Sequence, residues 1–345
     1  MSGRKQHYLP QFLQRPFSHR VVKDNHYVHV HEQRTHYSPS TTGVGAKRDF
    51  YSSTQDTRAD DNITKEESSL VQIIDQIIQR KQLGASSDTA MLFSSLSIRT
   101  LKMRNAMADL APTMFAVLRQ KSSAEEWAEE AIEKQINDHV WIDAQIDEQL
   151  RGLGRIDRNK RAAMKVMLKS QLKKELEQNK SKLLDDFNDL AQVTFDSLEA
   201  QAAEIADTAF SKIFVESSSL EKRNALFEKF GFSLLETSSE LFVLGDCAVA
   251  ALDSEGTPRI AMSDLNEGVV LKQIFLPISP QLLIYGTRDS NAVIPNDADI
   301  NKLSVALSNR FFISFDGSTP HIEELKPLIC TATAPIVSAE QLSNL

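Results

Sequence analysis

The residues of this chain best suited to chemistry are its histidines, six of which lie within residues 1–49. His29 and His31 are two positions apart in a segment of alternating polarity, so a strand there would direct both imidazoles to one side. Transition metals use such pairs, with His26 or His36 as a third ligand. An ordinary polar strand face explains the same pattern, and it is favoured because the third ligand has no fixed spacing. The sequence therefore assigns no metal ligand.

The same N-terminal segment is basic, although the whole chain is acidic. Residues 1–49 contain eight lysines and arginines against three acidic residues, a local charge of +5, whereas the 345-residue chain has a net charge of −8. The net charge argues against a surface coated with basic residues for bulk nucleic-acid binding. An anionic ligand is expected to meet the N-terminal segment first; an ordinary polar surface is the alternative.

Other chemical patterns are missing from the sequence or have simpler explanations. It contains no phosphate-binding loop, dinucleotide glycine pattern or Gly-x-Ser-x-Gly elbow. Glu66 and Glu67 could serve a metal, but a helix that begins at a Thr64-x-x-Glu67 capping box accounts for them. Cys247 has no adjacent histidine or basic residue to activate it, so we expect it to be a small buried hydrophobe.

The composition predicts a soluble protein of the cytoplasm. Two cysteines are too few for a disulfide framework, which favours a reducing compartment. The basic start is not followed by the apolar segment that a signal peptide needs. Lys272, Pro277 and Pro280 interrupt the longest apolar run, residues 269–285, so no membrane span and no membrane partner are expected.

Short elements are expected around the histidines. Pro10 disfavours a helix interior and holds the preceding residue extended, so residues 5–17 predict an extended segment followed by an apolar turn that packs into the body. Residues 20–31 alternate apolar and polar side chains and predict a strand or hairpin, with Asp24-Asn25 as the turn.

The middle of the chain is predicted to be helical, because its apolar residues recur at three- and four-residue steps. A helix beginning at Ser87 or Asp88 is expected to continue through residues 99–104. A single helix over residues 160–215 would be about 80 Å long at 1.5 Å per residue, so we expect breaks or an antiparallel hairpin. Glycines at 152 and 154 separate at least two helices.

The C-terminal third predicts a small sheet. Residues 240–246, 269–276 and 281–285 are strand-like runs. A helix opening at Asp299 and a last strand over residues 311–315 are expected to follow. The fold class is therefore α+β and predominantly helical, with a small mixed or antiparallel C-terminal sheet packed against the N-terminal block and a long central helical insertion. The predicted domains are 1–122, the N-terminal part of a core domain; 123–230, a helical lobe; 231–326, the C-terminal part of the core domain with the sheet; and 327–345, a loosely attached tail.

Several separated blocks, in this order, resemble the bacterial domain-of-unknown-function family 4238. The opening His-Tyr-x-Pro-x-x-x-Leu-x-x-Phe block is matched at His7, Tyr8, Pro10 and Phe17, with Gln14 in place of leucine. The next matches are an Asp-Phe-Tyr block preceded by Arg48 and an Arg99-Thr-x-x-x-Arg104 helix, which has leucine where proline is usual. The last matches are a strand that ends at Asp246, without the proline that usually follows, and an asparagine on a helix, Asn301. The blocks cover nearly the whole chain, while the central helices look like an insertion.

The resemblance implies positions for a site and no reaction. It points to His7 and Asp246 as catalytic residues and to five substrate-binding residues: Tyr8, Arg48, Arg99, Arg104 and Asn301. Arginine is a bidentate partner of phosphate and carboxylate, histidine moves protons near neutral pH, and aspartate holds a divalent ion or positions a water. In one cleft these groups would suit a phosphodiester or nucleotide. A purely structural network of the same residues is the alternative.

Two functions from different classes follow. The leading hypothesis is a metal-dependent, nuclease-like effector that acts on a phosphodiester. Its ligand would be nucleic acid or a nucleotide. The cofactor is unknown, and a divalent metal ion is the candidate. The second is a non-catalytic binding or scaffold protein that recognises a protein partner through the helical lobe, residues 123–230. Ligand sensing by the arginines without turnover is a third.

Overall fold

A computed structural model of the protein describes residues 5–51, 58–122, 129–130, 132–134, 137–152, 157–237, 239–261 and 269–332. The chain divides into two compact units. Unit 1 lies within residues 1–110 and 204–338, and unit 2 within residues 111–203 and 339–345.

The N-terminal part of unit 1 is built from short elements. They are the strands β1 (Lys5–His7), β2 (Arg20–Val22), β3 (Asn25–Tyr27), β4 (His29–His31), β5 (His36–Tyr37) and β6 (Ala46–Arg48), the helix α1 (Gln11–Gln14) and two 3-10 turns, Arg15–Phe17 and Thr41–Gly43. The expected packing of the opening block is confirmed, because Phe12, Leu13 and Phe17 are buried. The expected hairpin is also present as β2–β3. Its turn falls at Lys23 and Asp24, both with positive φ, one residue earlier than predicted.

Longer helices follow. In chain order the described ones are α2 (Arg58–Arg80), α3 (Ser86–Ile98), α4 (Leu101–Ser122), α5 (His139–Gly152), α6 (Arg158–Gln178), α7 (Lys180–Val215), α8 (Ser217–Phe227), α9 (Asp297–Leu307) and α10 (Pro320–Leu325), with a 3-10 turn at Lys326–Leu328. Within the described ranges no helix combines the length and the apolarity that crossing a membrane requires.

Two predicted helix boundaries are wrong. Thr64 does not open a capping box, because α2 begins at Arg58 with Asp60 and Asp61 in its first turn and the Thr64 hydroxyl donates to the Asp60 carbonyl over 2.9 Å. The helix that contains residues 86–98 does not continue through Arg104. It ends at Ile98, and the Thr100 hydroxyl accepts a hydrogen bond from the Met103 amide over 3.0 Å, which starts α4 as a new helix.

Unit 2 contains an antiparallel helical hairpin formed by α5 and α6. In α5, Ile142, Ile146 and Leu150 are buried against apolar side chains of α6. The ion pairs Lys165–Asp147 and Lys169–Asp143 run in opposite chain directions, so the two helices are antiparallel. The predicted break within residues 160–215 falls at Asn179, between α6 and α7.

The strands of the C-terminal third are β7 (Gly231–Glu236), β8 (Leu244–Gly245), β9 (Ala250–Asp253), β10 (Pro258–Ile260), β11 (Leu271–Pro277), β12 (Leu282–Thr287) and β13 (Phe312–Ser314). A five-stranded antiparallel sheet has the order β10-β9-β11-β12-β7, and a four-stranded sheet has the order β5-β4-β13-β8. The predominantly helical α+β class is confirmed. The N-terminal segment does more than pack on the C-terminal part, since β4 pairs directly with β13.

The predicted strand over residues 240–246 shrinks to the two residues of β8. The reason is that side chains of α9 take the backbone groups that a strand partner would use. Asn301 accepts from the Val243 amide over 3.0 Å and donates to the Leu241 carbonyl over 2.9 Å. Asp297 likewise accepts from the Ser239 amide over 2.9 Å.

Residues 327–332, which the sequence assigns to a loose tail, are anchored to unit 1. Ile329 is buried, its carbonyl accepts from the Gln33 side chain over 3.0 Å, and the Ala332 amide donates to the Ala306 carbonyl over 3.0 Å. The rest of the predicted tail, residues 333–345, lies outside the described residues.

Candidate anion-binding site

Arg99 lies at the centre of a buried polar network in unit 1. Its side chain is 1% exposed. Nε donates to the Tyr51 hydroxyl over 3.1 Å, and Nη2 donates to the His7 carbonyl over 3.3 Å and to the Glu67 carboxylate. The third nitrogen, Nη1, is also buried and has no hydrogen-bond partner among the described residues. A buried guanidinium with one unused nitrogen retains the capacity to bind an anion.

The charge of Arg99 is secured by its neighbours. Burial alone would disfavour the guanidinium, but Tyr51 and Glu67 outweigh this effect and raise the pKa of Arg99. Burial also raises the pKa of the Tyr51 hydroxyl to about 12, with Arg99 acting in the opposite direction. Both groups are therefore in their usual protonated forms at neutral pH.

His7 contributes two different groups. Its backbone carbonyl accepts from Arg99 and, over 2.8 Å, from the Tyr51 hydroxyl. Its imidazole Nε2 is buried and has no hydrogen-bond partner in the part of the chain that the structure describes. Burial lowers the pKa of His7, while the nearby Thr41 backbone acts in the opposite direction, so the ring is neutral at pH 7. A neutral imidazole can accept a proton from a bound water.

The local chain explains why these groups meet. β1 pairs with β6 in antiparallel register, His7 opposite Ala46, and the Gln6 side chain accepts from the Tyr51 amide over 2.7 Å. These bonds hold Tyr51 beside the His7 carbonyl. Arg99 lies between α3 and α4, directly before Thr100, which caps α4.

Arg104 stabilises the same aromatic block from its other side. Nη1 donates to the Phe50 carbonyl over 3.0 Å, and Nη2 pairs with Asp207 over 2.7 Å. Its guanidinium carbon lies 5.2 Å from the centre of the Phe50 ring. These contacts give Arg104 a structural role beside the site, and Arg99 keeps the unused donor.

Asp246 is fully engaged by the backbone. Its two carboxylate oxygens accept from the Asn309 amide over 2.6 Å and from the Arg310 amide over 2.9 Å. Within the described residues it forms no ion pair with Arg48, Arg99 or Arg104. Burial raises its pKa to about 6, against the effect of these amides. The carboxylate therefore fastens the segment after α9, and it is not joined to the Arg99 network.

In the described part of the chain, none of the remaining predicted residues is a hydrogen-bond partner of the Arg99 side chain. Tyr8 is buried and packs on Phe50 with ring centres 5.3 Å apart; burial and then Asp246 raise its pKa. Asn301 is buried and holds residues 241–243 in place. Arg48 is exposed on β6, opposite Lys5.

Sequence reasoning missed two members of the network. Glu67 was interpreted as a capping residue, although it is the ion-pair partner of Arg99. Tyr51 belongs to the block that carries the family resemblance, but it was not assigned to the site. The sequence signal for Tyr51 is its position directly after Phe50 in that block.

The histidines of the N-terminal strands form a separate cluster. His29 Nδ1 lies 3.1 Å from His36 Nε2, and His36 stacks on His31 with ring centres 4.7 Å apart. His19 stacks on His29 at 3.9 Å. His36, one of the two proposed third partners, thus joins the pair. In the part of the chain that the structure describes, no three or more histidine, cysteine or acidic residues are arranged to hold a metal ion.

The chain matches the family described as "Protein of unknown function (DUF4238)" over residues 5–325, and it belongs to this family. The predicted resemblance is thereby confirmed. No curated protein and no solved structure matches the chain. The family match supplies no activity, so the function has to be argued from the side chains.

Proposed function

We propose that the protein binds a phosphate ester at the Arg99–His7 site and cleaves it in a nuclease-like reaction. The observation that carries the proposal is the pair of buried, unused nitrogens, Arg99 Nη1 and His7 Nε2, on two residues in direct contact. An unused donor with a fixed positive charge is suited to a non-bridging phosphate oxygen.

The chemistry follows from the protonation states. Arg99 would stabilise the negative charge that develops on the phosphoryl oxygens. The neutral His7 ring would take the proton of the attacking water as the water oxygen bonds to phosphorus. The P–O bond to the leaving group then breaks, and the alkoxide or phenolate that departs takes its proton from solvent. The proposal gives Asp246 no part in the reaction, because both of its oxygens already accept backbone hydrogen bonds. Whether a divalent ion takes part in the reaction is measured in the same experiment, by adding a chelator.

The test is hydrolysis of bis(p-nitrophenyl) phosphate and of a short oligonucleotide, with and without chelator. His7→Gln is a sharp variant, because the network uses the His7 carbonyl, which glutamine retains. We expect kcat/KM to fall by about 100-fold or more with an unchanged melting temperature. Arg99→Lys keeps the positive charge but loses the planar, bidentate guanidinium group, so it should weaken substrate binding.

His139→Gln is the matched control, because this exposed histidine lies in unit 2. It should leave the rate unchanged. If hydrolysis continues in the presence of the chelator, His7 acts without a metal ion. If the chelator abolishes hydrolysis, the reaction is metal-dependent. If wild-type protein cleaves neither substrate, or if His7→Gln is fully active, the proposal is wrong.

A second candidate function is recognition of a partner protein by the helical lobe. A cavity of about 320 Å³ in unit 2 is lined almost entirely by apolar side chains, among them Trp141, Leu176, Phe187 and Leu190. On α7, Leu190 is 66% exposed and Val193 is 67% exposed. An apolar groove on a helical surface is the form that binds an amphipathic helix.

This second function is tested by crosslinking in cells. A photoreactive residue at Leu190 should crosslink to one defined protein, and the same residue at the exposed Val166 of α6 should not. Equal crosslinking at both positions would contradict it. For either function we place the protein in the bacterial cytoplasm, where its two cysteines, both free, would stay reduced.

A further inference from the structure

A second polar site lies in unit 1, at a cavity of about 280 Å³ between α2, the end of α7 and α8. Four residues of α2 line it, together with residues 213–216 and Arg223. The Asn62 side chain donates to the Phe214 carbonyl over 3.0 Å and ties α2 to α7 at this point. The volume is close to the lower limit of small-molecule sites, about 300–1,000 Å³.

Arg223 is the notable group in this cavity. It is 6% exposed, and its Nε and Nη1 atoms are buried with no hydrogen-bond partner within the described ranges. Burial lowers the pKa of Arg223, and Glu66 acts in the opposite direction. Leaving two donors of a buried cation unused costs free energy. A ligand that accepts these hydrogen bonds would recover that cost.

Glu66 faces the same cavity with the opposite charge. Its Oε1 atom is buried and, among the residues that the structure describes, also has no hydrogen-bond partner. Within the described residues, Glu66 and Arg223 approach each other closely enough for an electrostatic effect but form no ion pair. Both groups line the cavity with unused hydrogen-bonding atoms, donors on Arg223 and an acceptor on Glu66. A molecule with one acceptor group and one donor group could use both.

The rest of the lining adds one more charge of each sign and an apolar wall. Lys65 and Glu216 line the cavity and are exposed, so the four charged side chains are balanced. The apolar wall consists of Ile63, Ile213, Phe214 and Val215. A simple anion would match only half of these charges, whereas a zwitterion matches both halves.

We propose that this cavity binds a zwitterionic amino acid with an apolar side chain. The carboxylate accepts from Arg223, the ammonium group donates to Glu66, and the side chain packs on the apolar wall. This site is separate from the Arg99–His7 site, because it uses different residues and requires no phosphate. The proposal adds a ligand class to the protein and does not depend on its cleaving anything.

The experiment is calorimetric titration of the full chain with L-leucine, L-methionine and L-phenylalanine. Two half-ligands of leucine, 4-methylpentanoate and 3-methylbutylamine, each remove one charged group. We expect at least one amino acid to bind and both half-ligands to bind at least tenfold more weakly. Absence of binding by all three amino acids at 10 mM, or equal binding of 4-methylpentanoate and its parent, would overturn the proposal.

Variants locate the site. Arg223→Gln and Glu66→Gln should each weaken binding at least tenfold, and they lie on different helices, so misfolding of one leaves the other informative. Lys222→Gln and Glu221→Gln are controls on the exposed face of α8 and should bind normally. His7→Gln should bind normally as well, which separates this site from the proposed phosphate site. Full binding by folded Glu66→Gln would contradict the assignment.

Discussion

Two adjacent glutamates of α2 each face a buried arginine, but only one of them forms an ion pair. Glu67 forms an ion pair with Arg99, which also bonds to a hydroxyl and a carbonyl. Glu66 faces Arg223 without pairing, and both keep unused polar atoms. The protein thus contains one nearly closed guanidinium site and one open site, supplied by adjacent residues of the same helix.

The difference shows that burial of an arginine alone does not define its role. Adjacent residues of a helix are about 100° apart, so Glu66 and Glu67 necessarily face different surroundings. At Arg99 the partners outweigh burial and the pKa is raised, whereas at Arg223 burial dominates and the pKa is lowered. Among the described residues, Arg99 keeps one unused nitrogen, whereas Arg223 keeps two and faces an unused oxygen of Glu66, so the open site has more hydrogen bonds to gain from a ligand.

The largest effect is expected from removing the charge of the closed pair. Glu67→Gln leaves the buried Arg99 cation without its counter-ion and should lower the free energy of unfolding by about 3 kcal/mol, the low end of the range because Glu67 is 33% exposed. Glu66→Gln breaks no ion pair and should change it by less than about 1 kcal/mol. Urea denaturation of both variants measures the difference, and equal losses would refute the comparison.

His31 extends the comparison to a buried group whose charged form is disfavoured by its surroundings, with Glu323 acting in the opposite direction. His31 is fully buried, and burial, followed by His36 and His29, lowers its pKa from 6.5 to about 4. Between these values the unfolded chain binds a proton that the folded chain does not. Stability should therefore fall as the pH drops from 6.5 to 4, by at most about 3 kcal/mol from this group.

The measurement is the free energy of unfolding against pH for wild type and His31→Asn. Asp246 acts in the opposite sense, because its raised pKa of about 6 makes the folded chain keep a proton below that pH. Its contribution is common to both proteins and cancels in their difference. The variant should lose the His31 slope, and exposed His139→Asn should keep it. Parallel curves for wild type and His31→Asn would rule this out.

A smaller effect is expected inside the closed site. Tyr51→Phe removes the hydroxyl that accepts from Arg99 and donates to His7, leaving a second nitrogen of Arg99 without a partner. The loss of stability should be about 2 kcal/mol. Tyr37→Phe is the control, since the Tyr37 hydroxyl bonds to Glu32 over 3.1 Å at an exposed position and its loss should cost less than 1 kcal/mol. Similar losses would show that the closed site is not rigid.

The sequence predicted much of the framework. Helical periodicity gave the helices of the middle of the chain and the break that falls at Asn179, and polarity alternation gave the β2–β3 hairpin. It failed where a side chain replaces a regular partner. Asn301 and Asp297 withdraw residues 239–243 from a strand, and Thr100 starts a new helix where the apolar pattern continues.

The candidate site was predicted only in part. Arg99 contacts His7 through its backbone carbonyl and not through the imidazole on which the expectation rested. Asp246 accepts from the amides after α9, and Asn301 bonds to residues 241–243. No local pattern reveals such engagement, because the donors lie about 60 positions away in the chain. Arg223 gave no signal at all, since a charged residue in an amphipathic helix is ordinary until its neighbours are known.

The family resemblance, the helical and strand periodicities and the burial of the opening aromatic block follow from the sequence alone, because each depends on residue types and their order and spacing along the chain. Which charges are paired depends on the folded structure. Arg99 finds Glu67 at a separation of 32 residues, and Arg104 finds Asp207 at 103. Ion pairing depends on distances of a few ångströms between side chains, and only the folded chain sets those distances. For the same reason, the open pair of Glu66 and Arg223 became visible only once α2, α7 and α8 were in place.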